Sequence, residues 1–231
     1  MEMENTEETL RTKRVKIKKG NSASGIKRYK DIISNGLFMF GLLNRLANIG
    51  VDICPYYWVQ EETEPCEQPM IKDDAAYSVR YLNLDELKAV CHLKPGEEYD
   101  KMMKDVENGH LVIALEKDKT IAAYTFVELN SFNFKGRRFN LKPNEAYLLN
   151  MWTFHEFRGK NLAPYLRYQT YKILSDKGID IKYSITDYFN KSSIKFKQKL
   201  NSKPKSLYLA IVLFKKFTWN FTLRRDLTKR R

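Results

Sequence analysis

Apolar and polar residues follow each other along the chain in blocks that predict a mixture of strands and helices. The clearest block runs from Ala146 to Phe154, nine uncharged and mostly aromatic or aliphatic residues between charged neighbours, as is typical of a buried strand. A polar turn from Arg158 to Ala163 follows, and Pro164 stands where the first turn of a helix tolerates proline. The pattern predicts a buried strand that turns tightly into a helix.

The same reasoning orders the elements on either side of that strand. The pattern predicts, in chain order, a strand from Ala75, helices at 84–93 and 95–107, a hairpin at 110–129, a loop or second ribbon at 131–145, the buried strand, a helix at 162–177, a strand at 180–187, a helix at 190–200 and two final strands around Lys215 and Lys216. A strand, a crossover helix and a second strand imply parallel pairing, so the buried strand and the strand at 180–187 should lie side by side. These elements indicate an α+β (mixed α/β) domain.

Composition divides the chain into four parts. Residues 11–30 contain nine basic and no acidic residues, with glycine and serine interrupting any periodicity. Residues 61–74 are acidic and contain two prolines, as is typical of a linker. The predicted division is a disordered basic arm at 1–30, an N-terminal helix and acidic linker at 31–74, the main domain at 75–226 and a basic tail at 227–231.

The predicted N-terminal helix, residues 31–50, admits two interpretations. Its apolar run is too short to span a bilayer. It either packs against the main domain or lies in a membrane interface, assisted by the basic arm before it. A short extended piece at 51–60 is expected to connect it to the linker.

Charge and cysteine usage narrow the partners and the compartment. The net charge of +13 is concentrated in the arm and in residues 135–223, which alone carry +13. Three widely spaced cysteines without a CxxC pair favour a reducing compartment and no structural zinc site. The N-terminus is acidic and does not resemble a secretory signal, so we expect a cytoplasmic protein, with peripheral membrane contact through residues 11–50 as an open alternative.

The turn after the buried strand has the features of an anion site. A strand that turns tightly into a helix leaves backbone N–H groups unpaired at the positive end of the helix dipole. Arg158 and Lys160 add formal positive charge at the same place. A phosphate or pyrophosphate is the ligand that suits such a turn.

At this turn the chain resembles the GNAT superfamily of acyl-CoA N-acyltransferases. The acyl-CoA motif of that family is Arg or Gln, two residues, Gly, one residue, then Gly or Ala. Arg158 and Ala163 match the first and last positions, whereas Asn161 replaces the central glycine. Asn is the residue other than glycine that best adopts a left-handed backbone.

A second stretch and the order of elements agree with the resemblance. The family commonly has Asn at the start of the helix after the fifth strand, a small residue three positions later and Tyr seven positions later. Asn190 and Ser193 match, and Lys197 takes the tyrosine position. The resemblance covers roughly residues 75–226. It implies a central mixed, mostly antiparallel sheet that splays between its fourth and fifth strands and is flanked by helices.

The resemblance also implies acetyl-CoA, or another acyl-CoA, as co-substrate. The splayed strands would leave backbone groups free for the pantetheine arm, the turn would hold the pyrophosphate, and the later helix would contact the pantetheine or adenosine side. The residues implied are Trp152, Thr153, Phe154, Arg158, Gly159, Lys160, Asn161, Leu162, Ala163, Asn190, Ser193 and Lys197.

The catalytic groups are less defined by the sequence. An amine that attacks a thioester needs a base for its proton and an acid near the departing thiolate. Tyr188 is a candidate acid, with Lys197 as an alternative if its pKa is lowered. Glu145, Glu128 and His155 are candidate bases near strand ends, with Glu145 preferred. No pattern of metal ligands stands out.

Two functions follow from these observations. The first is an acyl-CoA-dependent N-acyltransferase, in the first instance an acetyltransferase, acting on an amine of a small molecule, sugar or peptide. The second is a catalytically inactive module with the same scaffold that uses its basic tails on nucleic acid or a membrane surface. Nucleic acid is not the expected partner of the first.

Overall fold

The computed structural model describes residues 37–92 and 96–227. Its helices are α1 Leu37–Asn48, α2 Leu84–Val90, α3 Glu97–Glu107, α4 Leu162–Ser175 and α5 Lys191–Gln198. Its strands are β1 Val51–Glu61, β2 Tyr77–Tyr81, β3 Leu111–Lys117, β4 Thr120–Glu128, β5 Phe132–Phe134, β6 Arg137–Phe139, β7 Glu145–Thr153, β8 Ile181–Asp187, β9 Lys203–Leu213 and β10 Phe217–Arg224. Short 3₁₀ turns occupy Asp74–Ala76 and His155–Phe157.

Eight of the strands form one sheet in the order β10-β9-β1-β8-β7-β4-β3-β2. Every pair is antiparallel except β7 and β8, which are parallel and joined by the crossover helix α4. Counted along the sheet from β2, which leaves out the separate β5–β6 hairpin, β7 and β8 are the fourth and fifth strands of the predicted domain. The predicted fold class, a mixed and mostly antiparallel sheet flanked by helices, is therefore confirmed.

Local sequence signals explain several element boundaries. Asn83 caps α2 in a capping box: its side chain accepts the Glu86 N–H, and the Glu86 carboxylate accepts the Asn83 N–H. The predicted hairpin is confirmed as β3 and β4, and Asp118 and Lys119 supply the left-handed residues of its two-residue turn. The predicted ribbon at 131–145 is the short hairpin β5–β6.

The sheet includes a strand that we expected to lie outside the main domain. β1 inserts between β8 and β9 and pairs antiparallel with both, so the sheet begins at Val51 and not near Ala75. Pairing with β8 begins only at Tyr56, one residue after Pro55, whose missing N–H would interrupt a two-sided ladder. The predicted short extended piece is thus a central strand.

The segment predicted as a linker also packs on the domain. Asn201 Nδ2 donates to the Pro65 carbonyl (2.8 Å), and Thr63 N–H donates to the Asn201 carbonyl (3.1 Å). Of the predicted helix at 31–50, the described part is α1, which is half-buried at Leu43 and Leu46 and exposed at Leu42. The predicted basic arm and nearly all of the predicted tail lie outside the described residues. None of the described helices has the length and apolarity needed to cross a membrane.

Helices cover both faces of the sheet and create two cores. On one face, α4 buries Leu162, Leu166 and Leu174 against Leu148 and its neighbours. On the other face, a second core joins α2 and α3 to β4; it contains Leu87, Met102, Met103, Tyr124 and Phe126.

Candidate active site

β7 and β8 separate after only three paired positions, from Glu145 with Ile181 to Tyr147 with Tyr183. The cause is a bulge in β7 at Asn150, which has a left-handed backbone (φ 45°). Asn150 and Met151 of β7 there oppose a single residue of β4, Thr125, whose Oγ1 donates to the Leu149 carbonyl (3.1 Å). A bulge bends its strand, so β7 turns away from β8 at this point.

The gap between the two strands is a cleft of about 450 Å³, here called the first cleft. β7 and β8 form its walls, and the start of α5 closes one side. Its lining includes Tyr147, Asn150, Thr153, Ala163, Arg167, Thr186, Asp187, Asn190, Ser193 and Lys197. The strands expose backbone here because their mutual pairing has ended.

The turn at 158–163 stands where β7 leads into α4. Among the described residues, none accepts a hydrogen bond from the backbone N–H groups of Gly159 to Ala163. Gly159 has φ +77°, and a side chain there would meet nothing within 4 Å, so the turn is open on that side. Free amides at a helix start, beside Arg158 and Lys160, are suited to an anion, and we call residues 158–163 the anion-binding turn.

Asn161 replaces the expected glycine without strain at this turn. Its backbone is left-handed (φ 61°), the conformation that asparagine tolerates best. Its side-chain amide donates to the Met70 carbonyl (3.0 Å) and so ties the 61–74 segment to the turn. The replacement therefore links the acidic segment to the anion-binding turn.

Three charged side chains meet in the interior beside the first cleft. Glu61 of β1 lies between Arg167 of α4 (Oε2 to Nε, 3.4 Å) and Lys197 of α5 (Oε1 to Nζ, 3.3 Å). Tyr171 donates its hydroxyl to Glu61 Oε2 (2.6 Å). All three charged side chains are at most 7% exposed, and we call them the buried triad.

Hydroxyl groups of β8 complete the environment of Lys197. Its ammonium donates to Ser184 Oγ (2.5 Å) and Thr186 Oγ1 (2.6 Å). Burial lowers the pKa of Lys197 to about 8, although Glu61 opposes the shift. Burial alone would raise the pKa of Glu61, but Arg167 and Lys197 together hold it below its usual value.

A second cleft of about 480 Å³ lies against α3 and the β5–β6 hairpin. His110 Nε2 and Glu128 Oε2 are in direct contact at its base, and Glu128 Oε1 accepts the Asn130 N–H (2.6 Å). Glu98, Asp105 and Lys101 also line it, so carboxylates outnumber cationic groups. The cleft suits a cationic ligand.

The two clefts meet at the bulge in β7. Phe134, Tyr147, Leu149 and Asn150 line both of them. A molecule in the first cleft and another in the second would therefore approach each other beside Asn150. Such an arrangement allows group transfer between two ligands that occupy neighbouring clefts.

The structure distributes the predicted cofactor residues unevenly. Thr153, Ala163, Asn190, Ser193 and Lys197 line the first cleft. Asn190 caps α5 through its side chain, which accepts the Ser193 N–H (3.1 Å).

The remaining predicted cofactor residues lie around the cleft. Trp152 and Phe154 pack against the second core, and the Phe154 N–H already donates to the Ala122 carbonyl (3.0 Å). Leu162 is buried in the first core. Arg158 Nε donates to the Thr153 carbonyl (3.0 Å), and the guanidinium lies over the Trp152 ring.

The structure does not bring the preferred catalytic candidates to either cleft. Tyr188 is 41% exposed and lies beside the Tyr57 ring. Glu145 is buried at the paired end of β7, where its carboxylate accepts the Lys142 N–H (3.0 Å). That position is roughly 16 Å of extended strand from the bulge. His155 lies in the 3₁₀ turn and lines neither cleft, whereas the alternative base Glu128 lies in the second cleft.

Three residues that define the site have no motif in the sequence: Glu61 is the first residue of the predicted linker, Arg167 lies within a helix, and His110 is one polar residue at the start of a hairpin. A signal existed for Arg167, since it interrupts the apolar face of α4 between Leu166 and Thr170, both buried. In the described part of the chain, no three His, Cys, Asp or Glu side chains come together as metal ligands.

Solved structures share this fold. They include a GNAT-family acetyltransferase from Colwellia psychrerythraea (13% identity, TM-score 0.50, covering 71% of this chain and 58% of that one). The fold is also similar to that of a functionally unknown conserved protein from Staphylococcus epidermidis (10% identity, TM-score 0.50, covering 74% of this chain and 66% of that one). A Drosophila protein is similar too (9% identity, TM-score 0.52, covering 75% of this chain and 57% of that one). The chain thus spans 57–66% of the length of these structures. No protein-family model matches the sequence, and no curated protein matches it.

At these identities the likeness concerns the fold. The chain has the fold of the GNAT acyl-CoA N-acyltransferases: a mixed sheet opened between two parallel strands. The predicted resemblance is confirmed at that level.

Proposed function

We propose that the protein is an acyl-CoA-dependent N-acyltransferase that transfers an acetyl or other acyl group to an amine. The observation that carries this proposal is the meeting of two clefts at the Asn150 bulge, one of them leading to an open anion-binding turn. An acyl donor with a diphosphate suits the first cleft and its turn. An amine acceptor suits the second.

The residues present fit an acyl-CoA. The amides of Gly159 to Ala163, with Arg158 and Lys160, would hold the diphosphate. The unpaired edges of β7 and β8 beyond Tyr147 would bond the amide groups of the pantetheine arm, as an added strand does. Asn190 and Ser193, which line the cleft at the start of α5, would contact the same arm.

The second cleft supplies the acceptor site in this proposal. Its carboxylates attract an ammonium group, and Phe132, Phe134 and Tyr147 add apolar surface. We therefore infer that the acceptor is a primary amine attached to an apolar or aromatic group. Sugars without such a group are weaker candidates on this lining.

The Glu128 and His110 pair provides the base. One of the two removes a proton from the bound ammonium, and the neutral amine attacks the thioester carbonyl. The nitrogen loses its second proton as the tetrahedral intermediate collapses and the C–S bond breaks, and the CoA thiolate leaves and takes up a proton from solvent. The Glu128 carboxylate also fixes the orientation of the His110 ring, as carboxylates commonly do for imidazoles.

Calorimetric titration with acetyl-CoA tests the proposal. Wild-type protein should bind, and Arg158→Ala should weaken binding roughly tenfold, the value of one charge-assisted contact. Gly159→Pro should weaken it further, because proline cannot adopt the positive φ of that position.

The matched control is Lys172→Ala, which removes an exposed charge from α4 away from the turn. It should bind like the wild type. A folded wild-type protein that binds neither acetyl-CoA nor longer acyl-CoAs would refute the proposal. The inactive-module alternative would then become the working hypothesis.

A further inference from the structure

We propose that the buried triad of Glu61, Arg167 and Lys197 is an anion subsite for a negative charge at the thioester end of the acyl-CoA. The inference rests on the proposed function. Two sources share this chemistry: a carboxylate on the acyl group, as in succinyl-CoA, or the thiolate of the CoA product. Arg167 and Lys197 both line the first cleft, where such a group would lie.

The triad has more positive than negative groups. Two cations share one carboxylate, and Glu61 already accepts the Tyr171 hydroxyl. The other polar neighbours of Lys197 are the hydroxyls of Ser184 and Thr186, which are neutral. An isolated excess charge in a protein interior is unfavourable unless a counter-ion is supplied. A ligand anion would supply it.

Arg167 also has hydrogen-bonding capacity that the described chain does not use. Its Nε and Nη1 atoms are buried and have no hydrogen-bond partner there. The Nε atom lies within ion-pair distance of Glu61 but is not aligned for a hydrogen bond. Arg167 is 3% exposed, so water does not compensate readily. The Nη1 donors of this guanidinium are therefore available to bind an anion.

One carboxylate lines the first cleft, that of Asp187, and it is the group that would compete with a ligand anion for the triad cations. Its Oδ1 accepts the Phe189 N–H (2.7 Å), which holds it at the end of β8. It makes no ion pair with the triad. The triad cations therefore remain available to a ligand.

The test compares four ligands by calorimetric titration of the full chain: acetyl-CoA, succinyl-CoA, CoA and desulfo-CoA, which lacks the sulfur. If the anion is an acyl carboxylate, succinyl-CoA binds roughly tenfold or more tightly than acetyl-CoA. If it is the thiolate, CoA exceeds desulfo-CoA by a similar factor and its binding at neutral pH releases a proton, seen as a dependence of the heat on the buffer.

Variants decide whether the triad causes the preference. Arg167→Met should abolish it and Arg167→Lys should restore part of it, whereas Lys172→Met, on the outer face of α4, should leave it intact. Arg167→Met keeps Glu61 paired with Lys197 and removes the excess charge, so the chain should fold, as circular dichroism would show. Lys197→Met is the reciprocal variant, since it keeps Glu61 paired with Arg167.

Three outcomes are distinguishable. Preference for an anionic ligand that depends on Arg167 or Lys197 supports the subsite. Equal binding of all four ligands, or a preference that survives both substitutions, overturns it and leaves the proposed transferase function standing. Absence of binding by every ligand overturns both.

Discussion

Glu61 and Lys197 are 3.3 Å apart in the interior, although one belongs to the strand nearest the N-terminus and the other to the last helix. The contact exists because β1 inserts between β8 and β9 and carries its final residue beneath α4 and α5. It brings a carboxylate to two cations that α4 and α5 would otherwise bury together. The insertion of β1 thus determines the electrostatics of the first cleft.

Because of Lys197, the free energy of unfolding should depend on pH in the alkaline range. Its pKa is about 8 in the folded chain, lowered by burial from an ordinary value of 10.5. The unfolded chain therefore holds more protons than the folded one between about pH 8 and 10.5. The contribution of this residue to the free energy of unfolding should rise with pH across that window, by on the order of 3 kcal/mol in total.

Urea unfolding of wild-type protein and Lys197→Met checks this expectation. Between about pH 7 and pH 10, the free energy of unfolding of the wild type should rise relative to that of Lys197→Met, because only the wild type has the lysine. Parallel curves over that range would show that the folded state does not perturb Lys197.

β1 should be required for folding. A chain beginning at Glu62 lacks β1, so it leaves the edges of β8 and β9 unpaired and Arg167 and Lys197 without their carboxylate. We expect it to show no cooperative thermal unfolding, whereas a chain beginning at Leu37 should unfold cooperatively.

A peptide spanning residues 50–62 should restore cooperative unfolding to the shorter chain by strand addition. The same peptide with Glu61→Gln should do so less well, because it supplies the strand without the charge. A chain beginning at Glu62 that unfolds cooperatively by itself would contradict a central role for β1.

The elements from β2 onward could be predicted because their signals in the sequence are local. The β3–β4 hairpin and the crossover α4 each depend on neighbouring residues. The pairing of β1 does not, since a strand separated from its partners by a long segment carries no local mark of them. Alternation in Val51–Glu61 was also masked by Pro55 and by apolar residues on both faces, as expected of a strand covered on both sides.

The same dependence on local signals explains which residues of the candidate site could be predicted from the sequence. The turn residues and Asn190 could be placed from motifs, whereas Glu145 and Glu128 both stand at strand ends, which the sequence does not distinguish. Only the register of β7 with β8 shows that Glu145 lies where the two strands are still paired. The partnership of His110 with Glu128 depends on the pairing of β3 with β4, which alternation predicts without its register.

Glu128→Gln should reduce acyl transfer. The amide cannot accept a proton from the ammonium or from His110, so kcat/KM should fall by roughly 10²- to 10⁴-fold with acetyl-CoA affinity unchanged. Thiol release with a panel of aromatic and aliphatic primary amines measures the effect. His110→Gln should lower the rate in the same way.

Two variants serve as controls for that experiment. Glu145→Gln changes another buried strand-end carboxylate, and Tyr188→Phe removes a hydroxyl outside both clefts. Both should retain transfer within about twofold per folded molecule, as expected of groups that do not touch the substrates. If either loses activity as Glu128→Gln does, the assignment of the second cleft as the acceptor site is wrong.

Asn150 should be needed for the opening between β7 and β8. Its left-handed backbone suits asparagine and glycine but not a β-branched residue, so Asn150→Val should cost about 1–3 kcal/mol of stability or straighten the strand. Asn150→Gly should keep the bulge and change stability by no more than about 1 kcal/mol. Acetyl-CoA titration separates the cases: affinity should fall for the valine variant and persist for the glycine variant.

The outer edge of the sheet should bind anionic membranes. β10 exposes Phe217, Trp219, Phe221 and Leu223 at alternate positions, and basic residues stand at both of its ends, including Lys216 and Arg225. Apolar side chains among cationic ones match the surface of an anionic bilayer, where each basic residue contributes about 1 kcal/mol. The basic residues 11–30 should add to the attraction.

Sedimentation with vesicles of phosphatidylserine and phosphatidylcholine tests this expectation. Binding should fall with salt and on deletion of residues 1–30, and Trp219→Asp should weaken it further. Met70→Asp, which alters an exposed apolar residue elsewhere (89% exposed), should bind as the wild type does. Equal sedimentation with purely phosphatidylcholine vesicles would contradict an electrostatic contact. Salt-dependent binding to duplex DNA without vesicle binding would instead favour a nucleic-acid partner for the basic arm, because phosphate charge alone would then be sufficient.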